Sequence, residues 1–268
     1  MDQNSNLCDM FCVDGSCLNH YLRAAMWALL KKEINSFLNS LIGYIVICVF
    51  LLFVGLFMWV LPTDANVIDN GYADLNTLFV VAPWVFLFLI PAITMRSFAD
   101  EKSSGTIELL HTRPLSDLSI ILAKYFGGLA LVVFSLLPTL VYFMSVYQLG
   151  NPVGNIDTGS VWGSYIGLLL LGAAFVSIGI FSSAVSNNQI VSFILAVFIS
   201  WGLWIGLETI SSFQFLGTWD HVLLGIGINS HYSSLSRGVI DTRDVVYLLS
   251  LIAVFIALTR TVLESRKW

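Results

Sequence analysis

The sequence predicts an all-α, polytopic membrane protein with six transmembrane helices and both termini in the cytoplasm. Three observations carry that prediction. Apolar residues make up 57% of the chain and charged ones 11%, with a mean hydropathy of +0.85, a balance foreign to soluble domains. Six windows approach or exceed the roughly 20 apolar residues that a spanning helix needs: Leu41–Leu61, Leu78–Met95, Tyr125–Tyr147, Val161–Val185, Ile190–Leu207 and Val245–Leu263, none holding an acidic residue. With those spans, 10 of the 12 Lys and Arg residues fall on one side and only Arg237 and Arg243 on the other, which the positive-inside rule reads as cytoplasmic and external.

Residues 1–25 form a polar extension with Cys8, Cys12 and Cys17 but without a basic n-region or apolar h-region, so they are no secretory signal. Three cysteines at that spacing with His20 nearby make a poor zinc site. The stretch reads as a disordered tail or an upstream start, with the membrane domain spanning 26–268. From Trp27 to Ser40, Trp27, Leu30, Ile34, Phe37 and Leu38 share one helical face and Lys31, Lys32 and Glu33 lie elsewhere, the pattern of an amphipathic interfacial helix. Cys48 in the first span reads as a small buried hydrophobe.

Pro83 and Pro91 interrupt the second span, which predicts a bend that neighbouring helices tolerate. The fourth and fifth spans are joined by Ser186–Gln189, short enough for an antiparallel hairpin. Gly163 with Gly167, and Gly202 with Gly206, form G-x-x-x-G pairs suited to close helix packing, within the chain or with a partner subunit. The apolar stretch 213–228 is broken by glycines, Asp220 and His221, so it is expected to re-enter or lie on the outer leaflet. Arg260 makes the last span look short.

The most informative stretch follows the second span. Ser103 or Ser104 can cap a helix, Gly105 permits a close turn, and Pro114 ends the helix near Thr112. Ile107, Leu110 and His111 share one side, bracketed by Arg96, Lys102 and Arg113. The pattern alone also fits an amphipathic turn resting on lipid headgroups.

Chemistry of other kinds lacks its residues. There is no P-loop, no Gly-Lys pair, no G-x-S-x-G and no H-E-x-x-H, and His20, His111, His221 and His231 have no ligand spacing. The spans carry no mid-membrane carboxylate for a proton relay; Glu208, at the outer end of the fifth, reads as facing external water. A net charge of −5 reflects the acidic external side and points to no nucleic-acid partner.

Residues 95–116, MRSFADEKSSGTIELLHTRPLS, resemble the segment between the second and third spans of type-two ABC exporter permeases. In that family E-x-x-x-G-T-x-E-x-L-x-T-x-P forms a cytoplasmic coupling helix against the ATPase. Glu101, Gly105, Thr106, Glu108, Leu110, Thr112 and Pro114 meet the pattern, while His111 departs from its usual aliphatic residue. More narrowly, GYADLNTLFVVAPWVFLFLIPAITMRSFADEKSSGTIELL, LGNPVGNIDTGSVWGSYIGL and SRGVIDTRDVVYLLS resemble the GldF-type permeases of the gliding-motility ABC transporters of Bacteroidetes, a likeness running from Met26 to the C-terminus. The resemblance implies a non-enzymatic, multi-pass permease subunit of the inner membrane. It further implies a separate subunit that binds and hydrolyses ATP, a second permease or auxiliary subunit or a second copy, and no cofactor of its own. Closure of the ATPase pair would push Glu101–Pro114, and the second span would carry the shift outward. A membrane scaffold that anchors a motility or secretion machine and transports nothing is the alternative from another class.

Overall fold

The computed structural model describes residues 15–39, 41–63, 66–106, 116–212 and 224–265, and among these every regular element is helical. In chain order they are α1 (Gly15–Leu38), α2 (Leu41–Trp59), α3 (Val67–Asn70), α4 (Asn76–Thr94) and α5 (Arg96–Ser103). Next come α6 (Asp117–Leu136), a 3₁₀ turn (Leu137–Thr139) at Pro138, α7 (Leu140–Leu149) and α8 (Thr158–Val185). The chain continues through α9 (Gln189–Trp201), a π-helical segment (Gly202–Gly206), α10 (Leu207–Ser212), α11 (Ile228–Leu235) and α12 (Thr242–Ser265).

Among the described residues, five stretches are long and apolar enough to cross a membrane: Asn76–Ser103, Asp117–Leu149, Thr158–Val185, Gln189–Ser212 and Thr242–Ser265. The first expected span is shorter, its apolar run being Gly43–Trp59. Helix α8 lies at the centre, packed against α4, α5, α6, α9, α11 and α12. Every residue from Leu171 to Ile180 is buried, as befits a helix apolar all round. Phe50 stacks on Phe86, and Phe175 meets Trp204 edge-on. On the periphery, Ile190, Ile194, Phe198, Val246 and Val254 face outward, where lipid is the solvent their side chains suit.

Pro83 and Pro91 both lie inside one continuous α4. Each removes an N–H owed to the carbonyl four residues back. At Pro83 the vacated Phe79 carbonyl accepts from Tyr232 Oη at 2.8 Å, so α11 completes the ladder that proline left open. A single turn residue, Met95, separates α4 from α5.

Several expectations are corrected. Helix α1 starts at Gly15, well before Trp27, so residues 15–25 are helical and continue into the amphipathic stretch. Trp27 is exposed, whereas Glu33 joins Leu29 and Phe37 on the packed side, because a buried cation waits there. Cys48 is exposed on α2 rather than buried. The last helix is not short: α12 has 24 residues and runs through Arg260, which pairs on the surface with Glu264 one turn on at 2.7 Å. Helix α8 ends at Val185 and α9 begins at Gln189, with Asn188 Oδ1 accepting from Ile190 N–H at 2.9 Å.

Candidate functional site

Helix α5 sits at the end of the bundle that carries Arg96, Lys102 and Lys124. Its first-turn N–H groups have no partner within the helix. Ser183, fully buried on α8, supplies one from 85 residues away: its Oγ accepts from Phe98 N–H at 2.9 Å and Ala99 N–H at 3.0 Å and donates to the Met95 carbonyl at 3.0 Å. One hydroxyl thus caps α5 and bridges the turn after α4. It is the N-cap chemistry of serine delivered across a helix interface.

Three more side chains fasten α5. Lys102 Nζ donates to the Ala184 carbonyl, one of the acceptors that the C-terminus of α8 leaves open. Gln189 Nε2 donates to Asp100 Oδ1, tying α5 to the start of α9. Glu101 accepts from Lys124 Nζ at 2.9 Å, an ammonium 3% exposed that also donates to Ser97 O at 2.6 Å and Glu33 Oε1 at 3.3 Å. Phe98 lies under the same ammonium, its ring centroid 5.0 Å away, within cation–π range.

Ser103 and Ser104 end a helix instead of starting one. Their hydroxyls donate back to the Asp100 carbonyl at 3.0 and 2.7 Å, since short hydroxyl side chains serve backbone acceptors as readily as donors. Gly105 follows with φ +69°, a left-handed setting natural to glycine. Thr106 Oγ1 then lies 2.9 Å from Ser104 Oγ and donates to Glu101 O at 3.3 Å. Of the seven predicted docking residues, Glu101, Gly105 and Thr106 are therefore placed on one platform. Glu101 faces inward to Lys124, while Gly105 and Thr106 are exposed. Glu108, Leu110, Thr112 and Pro114, with Ile107, His111 and Arg113, lie outside the described residues.

The four packing glycines part company at the opposite end. A methyl group on Gly163 would fall 2.5 Å from the Gly238 carbonyl oxygen, and one on Gly167 2.6 Å from Leu235 Cβ, so α8 there meets the backbone that leaves α11. Ser160 and Ser164 donate to the carbonyls of Arg237 and Ser236, each at 2.8 Å. Nothing lies within 4 Å of such a methyl on Gly202, and Gly206 has only ordinary contacts; both belong to the π-helical segment. In the same region His231 Nδ1 lies 2.7 Å from Asp244 Oδ1 and its ring stacks on Tyr247 at 4.0 Å. Glu208 accepts from Asn229 Nδ2 at 2.6 Å, which holds that carboxylate to the 224–240 segment.

Sequence reasoning passed over Ser183, Glu33 and Lys124 as site residues. Only Lys124 left a signal, a lone charge inside the otherwise apolar run 118–136. Among the described residues no group of three or more His, Cys, Asp or Glu is placed to hold a metal ion. What the arrangement around α5 can do is mechanical: one short helix is bonded at once to α6, α8 and α9. Comparison with known families matches residues 62–259 to those described as ABC-2 family transporter protein. No curated protein matches the chain.

Proposed function

The chain belongs to the ABC-2 transporter family, and on that premise we propose that it is the permease subunit of an ABC exporter, driven by a separate ATPase that docks on the Glu101–Pro114 segment. The full assignment comprises six spans, both termini in the cytoplasm, residence in the inner membrane, and a partner permease or second copy across the transport path. The narrower place is a gliding-motility transporter, which the three segments quoted above support. The 10-to-2 distribution of basic residues supports the orientation.

The observation that carries the coupling role is the attachment of α5. A helix held by Ser183, Ala184, Gln189 and Lys124 cannot be displaced without displacing the helices that own those partners. A push on the loop that follows α5 therefore reaches the centre of the bundle, as a bistable coupling element requires. A loop merely resting on headgroups has no need of such anchorage.

Glu108→Lys tests the assignment. The charge reversal at a complementary interface costs several kcal/mol, whereas a solvated surface tolerates it within about 0.5 kcal/mol. Co-purification of the ATPase should be lost from Glu108→Lys while the chain keeps its membrane level. Retained ATPase binding and unchanged stimulation of hydrolysis would remove the docking role and leave the scaffold reading.

A further inference from the structure

Among the residues whose side-chain burial is described, Lys124 is the one Lys or Arg that is buried. Its ammonium has three N–H donors, and three acceptors meet them: Glu33 Oε1 on α1, and Ser97 O and Glu101 Oε1 on α5. Lys124 itself belongs to α6, so three separate elements converge on one nitrogen. The cation offsets the repulsion between the two carboxylates that meet at it.

Helix α1 is seated by shape as well as charge. One turn beyond Lys124, a methyl group on Gly127 would lie 3.1 Å from Glu33 Cβ, so α1 rests directly on the face of α6 that bears the lysine. One turn beyond Glu33, α1 turns tightly into α2, where a methyl group on Gly43 would fall 2.5 Å from the Phe37 carbonyl oxygen. Helix α2 is bonded onward to the α6–α7 arm, Tyr142 Oη donating to Leu51 O at 2.9 Å. A continuous chain of contacts thus leads from α5 through Lys124 and Glu33 to α1 and α2, elements that precede the matched residues 62–259.

We propose that Lys124 is a positioning residue of the coupling, a strut through which displacement of Glu101 is handed to Glu33 and so to α1, giving the docking platform a second output besides α8. The inference rests on the coupling role proposed above. It makes α1 a moving part driven from α5 instead of a passive float in the membrane interface.

The test follows two distances in the chain purified with its ATPase in lipid nanodiscs, with and without a non-hydrolysable ATP analogue. Spin labels are placed at Ser36→Cys on α1 or Ser103→Cys on α5, each paired with Val239→Cys, exposed at the opposite end just after α11. In the wild-type background both distances shift on nucleotide addition. In Lys124→Met the Ser103 response persists and the Ser36 response falls at least about fivefold, the lower end of ordinary coupling strengths; Lys124→Arg, which keeps the cation, restores it. Should Lys124→Met fail to fold, Glu33→Gln leaves the Lys124–Glu101 pair in place and must lower the Ser36 response as well. A full Ser36 response in either variant, or a motionless Ser36 beside a responding Ser103 in the wild type, overturns the strut alone. A wild-type Ser103 that ignores nucleotide overturns the coupling role and the strut together.

Discussion

The two ends of the bundle are closed by different means. Around α5 the bonds are made by long or polar side chains: Lys124 to Glu101 and Glu33, Lys102 to Ala184, Gln189 to Asp100. Around α11, side-chain bonds from Asn229, His231 and Tyr232 are joined by close approach of the chain itself, Gly163 against Gly238 and Gly167 against Leu235, stitched by Ser160 and Ser164 to neighbouring carbonyls. Bonds between polar side chains let the elements around α5 move as a set with their partners kept, but two chains in van der Waals contact leave no room for movement. One end is built to shift without coming apart; the other is built to stay.

The largest test of that contrast is Gly238→Ala. Its φ of +80° is unfavourable for any L side chain, and the new methyl would strike the Ser160 backbone, so strain and overpacking together should cost on the order of 2–4 kcal/mol. Thermal unfolding in detergent should show a drop of several degrees or a failure to accumulate in membranes. An unchanged Tm would mean that the α8–α11 contact has slack after all.

Ser183→Ala comes next, at about 1–3 kcal/mol for leaving buried donors without an acceptor. Its effect should be local. Hydrogen exchange should accelerate at the Phe98 and Ala99 amides, the two donors that lose their acceptor, while the amides of α11 stay protected. Acceleration spread evenly over both ends would erase the distinction between them.

The smallest expected effect is that of Glu264→Gln, which removes a pair between half-exposed groups worth about 0.3–0.5 kcal/mol as an i,i+4 contact. A Tm within a degree of the parent protein would confirm that Arg260 is carried by its helix. A large loss would instead make the end of α12 part of the α5 platform.

Much of the fold could be read from apolar length and turn chemistry. The spans from Leu78 onward fall within the observed helices, and the short 186–189 link joins α8 to α9. The failures share one cause: a partner, whether one turn away or far along the chain, decides the role of each side chain. Glu33 looked like a polar-face residue because nothing near it in sequence announces Lys124, 91 positions away. Ser103 and Ser104 suggest a helix start because hydroxyls serve both helix ends, and only the position of Asp100 O decides between them. Arg260 suggests an early end because its neutralising neighbour, Glu264, lies outside the apolar run 245–263. At the docking platform the residues of the E-x-x-x-G-T pattern could be named in advance, but not that Glu101 turns inward to hold while Gly105 and Thr106 remain outside.

Proline in a helix is ordinarily counted as a bond forgone. At Pro83 the forgone bond acts as an index mark. The Phe79 carbonyl is left unclaimed at one height and one azimuth of α4, and Tyr232 Oη reaches that point alone. Burial pushes the Tyr232 pKa upward, so the hydroxyl keeps its proton under any physiological condition. Were α4 to rotate by one residue, about 100°, or to slide past α11, the mark and its reader would part. Pro83 thereby sets the angular zero of the helix whose far end carries α5, and the rotational setting of the docking platform is referenced to the opposite end of the molecule.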